Sequence, residues 1–123
     1  MQDRRMRHVK GNMGLTFDEY DDRSQSRAVY PNVGDNVLYP VLGVCGEAGE
    51  LAEKLKKCLR DKDGQIAGED HRLMVKEVGD VLWYLSAVCR ELGISLEHAA
   101  KVNLEKVDGR HDRGTLHGSG DDR

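Results

Sequence analysis

Two long stretches of this chain repeat apolar residues every three or four positions, and a short polar break separates them. In the first, Leu38, Val41, Cys45, Ala48, Ala52, Leu55 and Leu59 form one helical stripe. In the second, Met74, Val78, Val81, Leu85, Val88 and Leu92 do the same. Between them Asp61, Lys62, Asp63 and Gly64 interrupt the pattern, and a connection running over 60–69 is short enough to favour an antiparallel hairpin. Pro40 is tolerated in the first turn of a helix that begins near Val37, and Gly93 is a natural stop for the helix before it.

The flanks extend the same architecture. Thr16-Phe17-Asp18-Glu19 has the form of a capping box, which predicts a first helix from Thr16 to about Ala28. Pro31, Asn32, Gly34 and Asp35 read as a loop. Ser95 caps a fourth helix from Leu96 to about Val107. No alternating pattern suggests a strand, so the expected class is all-α: an antiparallel bundle of about four helices in one domain over 15–110. A flexible extension is expected over 1–14. From Gly109 onward glycines and charges predict irregular chain, with a Gly-rich charged tail over 111–123.

The chain has 123 residues, and only 38% are hydrophobic against 33% charged, which is lean for a domain burying its own core. Self-association to a homodimer or homotetramer is therefore expected to complete the bundle. The net charge of −3 argues against a stable nucleic-acid partner, which requires a basic surface. No stretch approaches a membrane span, and the basic start is followed by no apolar run of a secretory signal. Three cysteines without close spacing point to reduced thiols in a cytoplasmic protein, with Cys45 and Cys89 expected in the core.

Four acids stand out by their placement. Glu47 and Glu50 lie three apart on the second helix, and Glu77 and Asp80 three apart on the third. Measured from Ala48 at the stripe centre, Glu47 lies near −100° and Glu50 near −160°; measured from Val78, Glu77 and Asp80 lie at the same two angles. Antiparallel packing sends matched offsets to the same side. The point midway between the two pairs falls between Asp63 and Gly64, where the turn is expected. All four carboxylates should therefore cluster. Hard divalent cations take such oxygen ligands, and Mg²⁺ (or Mn²⁺) suits a few carboxylates together with waters and substrate phosphates. The alternative is neutralisation by Lys54 and Lys76.

The segments 46–54 and 76–85, with ExxE and ExxD in order on two helices, resemble the MazG-like, all-α nucleoside triphosphate pyrophosphohydrolases. The resemblance runs from about Thr16 to Arg123, including Thr16-Phe17-Asp18-Glu19-Tyr20 ahead and Asn103, Lys106, Arg110 and Arg113-Gly114 behind. It implies Mg²⁺-dependent cleavage of a nucleoside triphosphate, a dNTP or a non-canonical NTP, between the α and β phosphates. Glu47, Glu50, Glu77 and Asp80 are then the metal ligands, with Glu47 or Glu50 also acting on the attacking water. Lys54 and Tyr84 lie on the acid side of their helices, and Asn103, Lys106 and Arg110 share one face of the fourth; these five are the candidate substrate contacts. Trp83 points elsewhere, toward the fourth helix or a second subunit. Many members carry a further Glu just before the first motif Glu; this chain has Gly46 there, which leaves a non-catalytic binding module as the competing reading.

Overall fold

The computed structural model describes residues 14–123 and contains four helices: α1 (Phe17–Gln25), α2 (Leu38–Asp61), α3 (Gly68–Glu91) and α4 (Leu96–Asp112). No strand occurs among the described residues, as the periodicity predicts. The extension expected over 1–14 lies, but for Gly14, outside them.

The caps follow the sequence signals. Thr16 Oγ1 accepts the Glu19 N–H at the start of α1, and Ser95 Oγ accepts the His98 N–H at the start of α4. Asp63 and Gly64 take left-handed backbone angles of φ 51° and 75° in the α2–α3 connection, and Gly93 stops α3 at φ 73°. Two ends differ from expectation. α1 stops at Gln25 instead of Ala28, and α4 runs five residues past Val107 to Asp112, since Gly109 is accommodated inside the helix. The chain beyond is irregular but folded back. Arg123 donates to the carbonyls of Thr115, Leu116 and Gly120, satisfying backbone groups that a free tail would leave to water.

α2 and α3 form the hairpin, and their contacts fix its direction. Lys62 meets Asp70, Lys54 meets Glu77, Glu47 meets Glu77 and Asp80, and Gly43 meets Tyr84. As one residue number falls the other rises, which is an antiparallel register reflected about the Asp63–Gly64 turn. α1 packs on α3 and α4, and α4 packs on α1 and α3; α2 touches only α3. One carboxylate staples these layers. Asp21 of α1 accepts from Ser86 Oγ of α3 and from the Leu96 N–H at the first turn of α4. Trp83 Nε1 donates to the Ser24 carbonyl at 3.3 Å, so this ring meets α1, a neighbour that the helical angle did not suggest.

The apolar stripes do not form the seam of the hairpin. Apart from Glu53, the covered positions of α2 are Pro40, Gly43, Val44, Glu47, Leu51, Lys54 and Cys58, rotated by about a quarter turn from the stripe. Val78 is 54% exposed, Leu59 61% and Leu38 65%, and Cys45, expected in the core, lies exposed on this same bare face. Cys89 is buried as expected, and Cys58, at 2% exposure, is buried in the seam. The rotation has a local cause. Gly43 lets the Tyr84 ring lie against α2, and Lys54 reaches across to Glu77 at 2.7 Å, so polar and small residues occupy the closest approach.

Candidate metal centre and its aromatic neighbour

The rotated seam places Glu47 and Glu77 inside the helix–helix contact, with Asp80 one turn further at its edge. One carboxylate oxygen from each of Glu47, Glu77 and Asp80 lies within 4.8 Å of the other two. Glu47 and Glu77 are half-buried and Asp80 is exposed, so the group opens to solvent on one side. Glu50 is exposed and stands beside this trio, close enough for its charge to act on Glu47. Burial, then the charges of Asp80, Glu77 and Glu50, push the Glu47 carboxyl above the ordinary range. A cluster with this strain has use for a counter-charge. Converging hard oxygen donors, raised in energy by one another and open on one side, fit a divalent cation that retains waters or takes phosphate oxygens.

Part of the counter-charge is already present. Lys54 Nζ sits 2.7 Å from Glu77 Oε1, and this hydrogen bond raises the ammonium above its ordinary value. The pairing across the seam replaces the Glu50–Lys54 pair that helix spacing alone allows. Lys76, the other candidate counter-ion, is exposed and has no ion pair among the described residues.

Tyr84 lies one turn beyond Asp80. Its hydroxyl is raised by burial, then by Tyr39 and by the charges of Glu47 and Asp80, so the ring borders the acidic group. It also borders a cavity of about 280 Å³ lined by Arg27, Val29, Tyr30, Pro31, Tyr39, Trp83 and Tyr84. Tyr30 and Tyr39 are stacked, with centroids 5.2 Å apart and planes 11° from parallel; Trp83 and Tyr84 meet edge to face at 5.1 Å. A larger cavity of about 480 Å³ opens on the other side of Trp83 and Arg27, against Leu15 and Tyr20. The smaller one has the richer aromatic lining and reaches the acids through Tyr84, whose hydroxyl feels both Glu47 and Asp80; the larger reaches them through Tyr20, whose hydroxyl feels Asp80. Sequence reasoning did not single out Tyr30, Tyr39 or Gly43. The signal was available for Gly43: reflected about the Asp63–Gly64 turn, it falls opposite Tyr84, where only a residue without a side chain leaves room for a ring.

The candidate contacts on α4 have other partners. Lys106 Nζ and Arg110 both reach the Asp121 carboxylate, at 3.2 and 3.5 Å, and Arg110 also donates to the carbonyls of Gly120 and Asp121. Arg110 is 8% exposed, held by the folded-back tail, and Asn103 is exposed on the helix surface.

Comparison with known proteins shows the family. The profile of the MazG nucleotide pyrophosphohydrolase domain matches residues 38–115, from the start of α2 into the tail. The Gene 37 protein of Mycobacterium phage L5 is 41% identical over 114 residues, which is 89% of this chain and 100% of that protein. No solved structure matches. No helix among the described residues is long and apolar enough to cross a membrane. With a helical hairpin that carries ExxE and ExxD into one acidic group, and with a profile spanning well over half its length, the chain belongs to the MazG nucleotide pyrophosphohydrolase family.

Proposed function

We propose that this protein hydrolyses a nucleoside triphosphate, a dNTP or a non-canonical NTP, between the α and β phosphates, releasing a monophosphate and pyrophosphate. The observation that carries the reading is the convergence of Glu47, Glu77 and Asp80 at the open edge of the hairpin. These residues, with Glu50 beside them, would hold Mg²⁺, with Mn²⁺ as a substitute. When bound, the cation supplies neutralisation and alignment of the phosphate oxygens for in-line attack.

The remaining chemistry belongs to side chains. Glu47 and Glu50 are the candidates for orienting the attacking water and accepting its proton; Glu50, exposed and outside the tight trio, keeps its oxygens available for this. Lys54, paired with Glu77, is positioned to transfer its ammonium to a phosphate oxygen once the acids are otherwise neutralised. The aromatic cavity at Tyr84 offers flat apolar walls to a nucleobase, next to the acids. Lys106 and Arg110 could meet a phosphate only after Asp121 yields its place, and Asn103 would follow from the same face.

The bare apolar face of α2 and of the first half of α3 supports a homodimer, or a homotetramer built from it, because an exposed face this continuous calls for a partner. Three thiols, none in a disulfide, suit a reducing cytoplasm. The test is a panel of canonical and modified triphosphates with Mg²⁺, scored for pyrophosphate against orthophosphate. Glu50→Gln and Asp80→Asn should each remove turnover; full activity in both rejects the reading.

A further inference from the structure

Glu91 is the last residue of α3, where a carboxylate faces the negative end of the helix dipole. Both of its oxygens nevertheless accept hydrogen bonds. Oε1 accepts from the Tyr30 hydroxyl at 2.5 Å and from the Gly34 N–H at 2.9 Å, and Oε2 accepts from the Asn36 N–H at 3.1 Å. These hydrogen bonds, that of Tyr30 first, hold the carboxyl below its ordinary range despite the helix end. Among the described residues they are the only hydrogen bonds recorded between the α1–α2 loop and α3. Asn36 extends the clamp: its Nδ2 donates to the Pro31 carbonyl at 2.8 Å, and its Oδ1 accepts the Tyr39 N–H at 3.2 Å. The whole path from Glu91 thus ends on two stacked rings, Tyr30 and Tyr39, that wall the aromatic cavity.

We propose that Glu91 is a positioning residue for the nucleobase: by clamping Tyr30, Gly34 and Asn36 it sets the Tyr30–Tyr39 stack, and so the shape of the cavity beside the acids. Glu91 lines neither the cavity nor the acidic group, and acts only through Tyr30 and the loop. The proposal rests on the reading of that cavity as the base site. It separates base recognition from phosphate and cation binding, which the acids and Lys54 provide.

The test is binding, followed by the fluorescence of Trp83, the only tryptophan, which lines the same cavity. The probes are the four dNTPs and inorganic tripolyphosphate, with Ca²⁺ in place of Mg²⁺ to suppress turnover. Loss of hydrogen bonds to a charged acceptor should weaken the tightest dNTP by about tenfold or more in Glu91→Ala, with tripolyphosphate affected less than about twofold. Glu91→Gln, which retains an acceptor, should fall between, and Tyr30→Phe, which keeps the ring and removes the hydroxyl, should show part of the loss. These two milder variants decide the matter if Glu91→Ala fails to fold. Equal losses for dNTP and tripolyphosphate, or none for the dNTP, overturn the proposal. A wild-type protein that binds dNTPs no better than tripolyphosphate removes both the base site and this inference. One that prefers dNTPs but releases no pyrophosphate with Mg²⁺ removes the hydrolase reading alone.

Discussion

Replacing Gly43 with Ala tests the junction between the hairpin and the aromatic cavity. A Cβ at this position would lie 2.3 Å from Tyr84 Cδ1 and Cε1 and 2.6 Å from Cγ. Carbon atoms rest at about 3.5–4.0 Å, so the ring must retreat by more than about 1 Å. Retreat is resisted by Trp83, edge-on at 5.1 Å. Overpacking of this kind costs about 1–3 kcal/mol. The same substitution in a helix returns about 0.5–1 kcal/mol by restricting the unfolded chain. The net loss is at most roughly 2.5 kcal/mol, a fall in Tm of up to roughly 10 °C for a domain of this size, and at the least the gain is cancelled. The measurement is thermal unfolding by circular dichroism of the wild type, Gly43→Ala, Tyr84→Ala and the double variant. With Tyr84 shortened the clash is gone, and Gly43→Ala should then stabilise by about 0.5–1 kcal/mol, so its effect reverses sign between backgrounds. Gly46, with nothing within 4 Å of a built Cβ, is the control, and Gly46→Ala should stabilise in either background. If Gly43→Ala stabilises the wild type as much as Gly46→Ala does, Tyr84 does not lie across α2 and the cavity wall is wrongly placed.

Three further outcomes follow. Lys54→Met removes the cation that Glu77 holds, so Tm without metal should drop while the rise on adding Mn²⁺ should grow; an unchanged Mn²⁺ response would mean Lys54 does not compete with the cation. Val78→Asp places a charge on the bare face and should give a monomer in sedimentation velocity where the wild type is a dimer; a monomeric wild type ends the dimer proposal. The third outcome concerns pH. Glu91 is depressed in the folded state by Tyr30, by the Asn36 and Gly34 amides and by Arg90, so its contribution is whole above the ordinary glutamate range and lost as pH falls through the folded value. Tyr30, pushed up to about 12 by burial and by Glu91, contributes fully below the ordinary tyrosine value and loses its contribution as pH rises through about 12. The Tm difference between wild type and Glu91→Gln should therefore be greatest near neutral pH and shrink on acidification; a difference that persists undiminished in strong acid contradicts the clamp.

The helices and their antiparallel order were legible because apolar spacing and caps are local signals, and the reflection about Asp63–Gly64 made Glu47 meet Asp80 and Glu77 on paper as it does in the fold. The error lay in taking the stripe as the seam. Periodicity reports which face of a helix avoids water. It does not report where that face is covered, and Leu59, Val78 and Cys45 are exposed. Glu91 and Asp21 were invisible for a related reason. A carboxylate that accepts backbone amides from a loop some 55 residues away leaves no periodic trace, and Glu91 stands at a helix end where acids are ordinarily unfavoured. Tyr30 fell in a stretch that reads as loop, although it is 7% exposed. On α4, the i, i+3, i+7 spacing of Asn103, Lys106 and Arg110 marked one face correctly, but the tail that claims Lys106 and Arg110 is tied by arginine-to-carbonyl bonds that composition cannot foretell.

The acids Glu47 and Glu77 stand half-buried between α2 and α3, whereas of the stacked tyrosines Tyr30 lies in the loop before α2 and Tyr39 in the first turn of α2. The two halves of the site are therefore under unequal constraint. On the proposed reading of the aromatic cavity as the base site, a mutation in the loop over 27–37 is expected to alter base preference and leave the hairpin intact. A mutation at Glu47 or Glu77 changes the charge and the packing of α2 on α3 together, and its loss of activity can be separated from a loss of fold only by measuring both.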